Sequence, residues 1–185
     1  KHYFDFSELT EEDVVILPAF GVTLNDLNTL RAIGCILVDT TCGSVLLVWK
    51  RVESYARDGF TALIHGKHYH EESRATASQV GKHADGRYII VRDMQETELV
   101  CDYITKKPGA MSKAEFAQHF AKKATEGFDP EEDLKKIGVA NQTTMLASDS
   151  LAIGSQVEKA MAEGFGKAYA NENFRSFGTI CSATQ

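Results

Sequence analysis

No apolar stretch in the 185-residue chain approaches the roughly 18 to 20 residues that a helix needs to cross a bilayer. A membrane function is therefore not expected, and the chain reads as soluble. An excess of positive charge is missing as well. Twenty Lys and Arg stand against twenty-six Asp and Glu, a formal charge of −6, so no overall field draws the chain to nucleic acid. Cysteines are few and scattered: Cys35, Cys42, Cys101 and Cys181 lie far apart. A chain of this length buries enough surface to be stable without disulfides, which points to a reducing compartment. Repeats and low-complexity tracts are absent, and Lys1-His2-Tyr3 does not open a signal peptide. What is present, 43% apolar and 25% charged residues, suits one or two globular domains. With no initiator Met and an end that follows directly on an apolar run, the chain reads as a piece of something longer.

Short apolar runs alternate with segments of helical period, the pattern of βα units. The runs cover residues 14–17, 35–38, 61–64, 88–91, 137–140 and 177–180. Each is continuous, as expected of parallel strands buried on both faces by crossover helices, so the fold class is α/β with a parallel sheet in an αβα sandwich. Between the runs, Leu24, Leu27 and Leu30 step along one helix face, and Val45, Val48, Trp49 and Val52 form a second stripe. Asp93, Ser112 and Asp129-Pro130 read as helix starts, and a last helix is expected over about residues 149–162.

In open parallel sheets ligands sit beyond the carboxyl ends of the strands, so the residues after each run are the candidates for function. They are Asp39-Thr40-Thr41-Cys42-Gly43, then His65-Gly66-Lys67-His68-Tyr69-His70-Glu71-Glu72, then Asn141-Gln142-Thr143-Thr144, and finally Cys181. Cys42, His70, Glu72, Thr143 and Cys181 are expected along one sheet edge. Cys35, inside a strand, and Cys101, on an apolar helix face, read as core thiols. The residues alone leave alternatives open. His65, His68 and His70 could form a solvated loop or hold a divalent metal or a phosphate, although their spacing is not a helical i, i+4 pair. Glu71 and Glu72 could be the polar first turn of a helix, and Thr143-Thr144 the cap of another.

Four separated motifs resemble those of the 4-hydroxy-3-methylbut-2-enyl diphosphate reductase family, also called IspH or LytB, in its plant and cyanobacterial branch. They are Asp39-Thr40-Thr41-Cys42; the stretch from Ile64-His65-Gly66-Lys67 through His70-Glu71-Glu72-Ser73-Arg74-Ala75-Thr76-Ala77-Ser78; Ala140-Asn141-Gln142-Thr143-Thr144-Met145-Leu146; and Thr179-Ile180-Cys181-Ser182-Ala183-Thr184-Gln185. The resemblance implies a trefoil-like enzyme of three α/β domains around a 4Fe-4S cluster. One Cys from each domain holds the cluster, and the fourth iron is left for the substrate. It implies reductive dehydroxylation of an allylic diphosphate to isopentenyl and dimethylallyl diphosphate, the last step of the non-mevalonate isoprenoid pathway. Electrons would come from a donor such as ferredoxin or flavodoxin, in a bacterial cytoplasm or a plastid stroma. By motif, Cys42 and Cys181 correspond to cluster ligands, His70 to a histidine that binds the substrate diphosphate, Glu72 to the carboxylate of the proton relay, and Thr143 to the hydroxyl that meets the substrate alcohol.

The departures matter too. The family's first cluster Cys and one diphosphate-binding His belong ahead of Lys1, and the Ser-x-Asn motif and a later Ser belong after Gln185. Ala19-Phe20-Gly21 stands where many members have Ala-His-Gly, and Gly43 where Pro is usual. The expected organisation is the second half of a first domain over residues 1–41, a middle domain over 42–180, and the start of a third at 181–185. The competing reading is a non-catalytic domain that binds a metal or phosphate through His65, His68 and His70.

Overall fold

The structure, a computed structural model, describes residues 4–176. Two parallel sheets are built from β1 (Val14–Leu17), β2 (Ile36–Asp39), β3 (Thr61–His65), β4 (Arg87–Val91), β5 (Ile137–Asn141) and β6 (Phe174–Ser176). β1 pairs with β2, and the other four strands lie in the order β4-β3-β5-β6, every neighbour parallel. The helices are α1 (Leu24–Ile33), α2 (Gly43–Arg57), α3 (Glu71–Ser78), α4 (Met94–Ile104), α5 (Lys113–Phe120), α6 (Pro130–Asp133), α7 (Ala147–Phe165) and α8 (Lys167–Asn173). The fold class is thus α/β, as the alternation of runs implies.

Strand side chains alternate between two faces, and each face of the larger sheet closes its own core. Ala62 and Ile64 of β3 face one way, onto Val48, Val52 and Tyr55 of α2 and Ala77 of α3. Leu63 faces the other way, into a larger core with Val100 of α4, Phe116 and Phe120 of α5, and Ile153, Val157 and Met161 of α7. At about 1.5–3 kcal/mol for each fully buried large aliphatic or Phe side chain, these two layers hold β3 and β5 rigidly in the middle. The outer edge of β4 is covered rather than left open to other chains. Residues 123–125 run along it, with Ile90 N donating to Lys123 O and Thr125 N to Tyr88 O.

Several local expectations are corrected. Cys35 lies just ahead of β2, buried, with its thiol donating to Thr10 O. α7 starts at Ala147, behind Leu146, and runs to Phe165, so Thr143-Thr144 caps no helix and sits in the turn before it. The last described strand is Phe174–Ser176; the apolar run 177–180 and Cys181 lie outside the described residues.

The largest correction concerns burial of β1 and β2. Val14 (59% exposed), Ile16 (68%), Ile36 (57%) and Val38 (43%) are paired in register, Val14 with Ile36 and Ile16 with Val38. They form one apolar face with no layer over it among the described residues.

Candidate active site

In the larger sheet the chain leaves β3 for β4 on one side and β5 for β6 on the other. The gap between the carboxyl ends of β3 and β5 is therefore the point where strand order reverses, the place where open α/β sheets bind ligands. β3 runs out into residues 66–70 and then α3; β5 runs out into residues 142–146 and then α7. Across that gap Glu72 Oε1 accepts a hydrogen bond of 2.5 Å from Thr143 N. Glu72 is only 2% exposed. A carboxylate so deeply buried is costly unless it is hydrogen-bonded, whereas its neighbour Glu71 is half-buried and paired with Arg74 at 3.0 Å. The first turn of α3 thus holds two different carboxylates, one serving the helix surface and one turned into the cleft.

Gln142 fastens the two loops together. Its Oε1 accepts from Lys67 N at 3.1 Å and from Ser73 Oγ at 3.0 Å, and its Nε2 donates to Thr144 Oγ1 at 2.6 Å. Its backbone N donates to His65 O at 2.8 Å, extending the strand ladder by one step. Gly66 makes room for this clasp. A Cβ at that position would lie 2.5 Å from Ser73 Oγ and 3.0 Å from Gln142 Cβ, too close for any larger residue without displacing one partner. In the sequence, the signal for this clasp is a lone Gly between a buried strand and a polar loop, and nothing there marks Gln142.

His70 is the N-cap of α3. Its Nδ1 accepts from Glu72 N at 3.1 Å, a place usually held by Ser, Thr, Asp or Asn. Because that lone pair is used on the helix, the ring proton resides on Nε2, a donor available to an acceptor outside the protein. Phe20, on the loop after β1, meets the His70 ring edge-on with 6.2 Å between centroids. The preceding residue's carbonyl, Ala19 O, accepts from Cys42 N at 2.8 Å. An unbroken path of contacts therefore leads from Cys42 through Ala19-Phe20 and His70 to Glu72 and Thr143.

Cys42 is exposed and stands at the N-cap of α2 without a side-chain capping bond. Negative charge on a metal-bound sulfur there would face the positive end of the helix dipole. Among the described residues it is the exposed thiol. Cys35 and Cys101 are buried, and burial pushes the Cys101 thiol up to about 12, which makes it an inert core group.

The three imidazoles separate. His65 is buried with Nδ1 2.8 Å from Ser150 Oγ of α7, and burial holds it below the ordinary histidine range against the opposing pull of Asp149. His68 meets the Tyr69 ring edge-on with 5.4 Å between centroids; burial first, then the charge of Lys123, lowers its pKa. His70 caps α3. No group of three His, Cys, Asp or Glu side chains able to hold a metal exists among the described residues, so the three-histidine site considered from sequence is not formed.

Comparison with known proteins adds to this geometry. Residues 3–185 match the family described as LytB protein, and the chain belongs to that family. It is 48% identical over 181 residues to a 4-hydroxy-3-methylbut-2-enyl diphosphate reductase of Synechococcus sp. (strain CC9902), covering 98% of this chain and 43% of that relative. It is 46% identical to the protein of the same name from Prochlorococcus marinus (strain NATL1A), with the same coverage. The chain thus spans under half the length of these curated relatives. Among solved structures, the fold is similar to that of the E-1-hydroxy-2-methyl-but-2-enyl-4-diphosphate reductase from Plasmodium falciparum, with a TM-score of 0.63 and 18% identity over 97% of this chain and 44% of that one. A second structure, described as (E)-4-hydroxy-3-methyl-but-2-enyl diphosphate reductase, the terminal enzyme of the non-mevalonate pathway, has a TM-score of 0.61 at 20% identity, over 97% of this chain and 49% of that one. No helix of the described residues is long and apolar enough to cross a membrane.

Proposed function

We propose that the chain supplies part of the active site of a reductase that removes the hydroxyl of 4-hydroxy-3-methylbut-2-enyl diphosphate, yielding isopentenyl and dimethylallyl diphosphate. The observation that carries this reading is the buried Glu72 carboxylate bonded to Thr143 N at the reversal point of the sheet, in a chain of the LytB family. Loss of hydroxyl as water takes two electrons and two protons per substrate. Glu72 holds a proton for the departing hydroxyl, Thr143 Oγ1 orients that hydroxyl, and His70 Nε2–H donates to a diphosphate oxygen.

Cys42 and Cys181 would hold an iron-sulfur cluster, with the third thiolate coming from polypeptide outside residues 1–185. Bound there, such a cluster supplies the electrons and a Lewis-acidic iron. The fit rests on Cys42, an exposed thiol at a helix start on the site's edge. Cys42 follows β2 of the smaller sheet and not a strand of the larger one, so it reaches the site through Ala19-Phe20 and His70 and not along the single sheet edge expected from the sequence. A small redox protein such as ferredoxin or flavodoxin is the expected donor, and the cyanobacterial relatives suit a bacterial cytoplasm or a plastid stroma.

The domain division is read the same way: residues 1–41 as half of a first domain, 42–180 as a middle domain, and 181–185 as the start of a third. The uncovered apolar face of β1 and β2 supports it, since parallel strands of this composition are stable when both faces are covered.

Anaerobic reconstitution of the full-length polypeptide with iron and sulfide tests the reading. A brown chromophore with a visible charge-transfer band is expected. A colourless product with no sulfide bound would overturn the reading.

A further inference from the structure

Residues 18–21 form a turn that the catalytic scheme leaves unused. Gly21 N donates to Pro18 O at 2.8 Å, and Gly21 has φ +77°, a left-handed conformation open chiefly to glycine. A Cβ there would lie 2.2 Å from Trp49 Cζ2, so the turn is seated directly on the indole of α2. From this support the turn reaches the site twice. Ala19 O accepts from Cys42 N, and the Phe20 ring stands against His70 with 67° between planes. Phe20 is 37% exposed and belongs to neither hydrophobic core of the larger sheet.

Among the described residues the His70 side chain makes one hydrogen bond, at Nδ1. One bond leaves the imidazole plane free to swing, because the terminal torsion of a histidine is broad. A second, edge-on ring contact removes that freedom, and edge-to-face aromatic pairs at this separation are attractive. We propose that Phe20 is a positioning residue: held by the turn on Trp49, it fixes the plane of His70 and thereby the direction in which Nε2–H meets a diphosphate oxygen. The inference rests on the reading of His70 as the diphosphate-binding imidazole. The same turn ties the candidate metal ligand Cys42 to the phosphate-binding end of the site.

The test uses the 185-residue chain, nitrogen-15 NMR of its histidine rings, and inorganic pyrophosphate as probe. In the unsubstituted chain His70 should show one tautomer with the proton on Nε2, and pyrophosphate should shift that nitrogen. Phe20→Leu should keep that tautomer, which the capping bond sets, but raise the motion of the His70 ring seen in its nitrogen-15 signals and weaken pyrophosphate binding by roughly 3- to 10-fold, the size of a lost aromatic pair. Phe20→Tyr should restore both. Amide exchange in α3 should be unchanged, because the capping bond does not involve Phe20. Unaltered His70 signals and affinity in Phe20→Leu would overturn the proposal. Faster exchange throughout α3 in that variant would overturn it too, by making Phe20 a support of the helix. If the unsubstituted chain bound pyrophosphate without a response at His70 Nε2, the reading of His70 would fall instead.

Discussion

Replacing Glu72 by Gln in the full-length polypeptide is expected to lower reductase turnover by about 100-fold or more, the size associated with general acid catalysis. The substitution is nearly silent for structure. Glu72 Oε1 acts as an acceptor toward Thr143 N, and the amide oxygen of Gln does the same, so the clasp between the β3 and β5 loops persists and folding stability changes little. What is lost is the ionisable proton. Substrate affinity, which rests on the diphosphate contacts of His70, should change far less than turnover. Steady-state rates beside direct substrate titration separate the two effects. Near-normal turnover in Glu72→Gln would reassign Glu72 to the helix-terminal role that Glu71 fills with Arg74.

Cys42→Ser is expected to abolish stable cluster assembly in the full-length polypeptide and turnover with it, because thiolate sulfur is the cluster ligand and a serine hydroxyl is a poor substitute. Folding should survive. Cys42 is exposed and makes no side-chain capping bond to α2, and Ser is a good N-cap residue in its own right. Cys101→Ser is the control: that thiol is buried against α7, with Sγ near Gln156 O, so the change should reduce stability by about 1–3 kcal/mol without lowering bound iron. Iron and sulfide content per chain after anaerobic reconstitution, beside a thermal melt, distinguishes ligand loss from unfolding. Full iron content in Cys42→Ser would remove Cys42 from the ligand set.

Much of this architecture is legible in the residues because burial on two faces leaves a strong mark. The runs at 61–64, 88–91 and 137–140 are continuous rather than alternating, and they became β3, β4 and β5 within a residue of those bounds. The same mark misleads where the covering layer is not at hand. Val14, Ile16, Ile36 and Val38 carry the signature of doubly covered strands yet present an open face among the described residues. α8 went unread because seven residues provide too little periodicity after the long stripe of α7. At the site, residue types at strand ends point to Glu72 and Thr143, but the bond between them depends on strand order, which composition does not encode. Gln142 is a three-way clasp only because β3 and β5 are neighbours. The three histidines looked like a cluster along the chain. They diverge because His65 is still on a strand facing α7, His68 packs edge-on against Tyr69, and His70 has already begun a helix.

Turnover of 4-hydroxy-3-methylbut-2-enyl diphosphate under reduced viologen tests most directly whether these 185 residues carry part, and only part, of a reductase site. The assay compares the anaerobically reconstituted full-length polypeptide with the 185-residue chain treated in the same way. Sustained formation of isopentenyl and dimethylallyl diphosphate is expected from the full-length polypeptide and none from the shorter chain, whose Cys42 and Cys181 lack a third thiolate. Sustained turnover by the 185-residue chain alone, or none by the full-length polypeptide with its cluster assembled, would contradict the account.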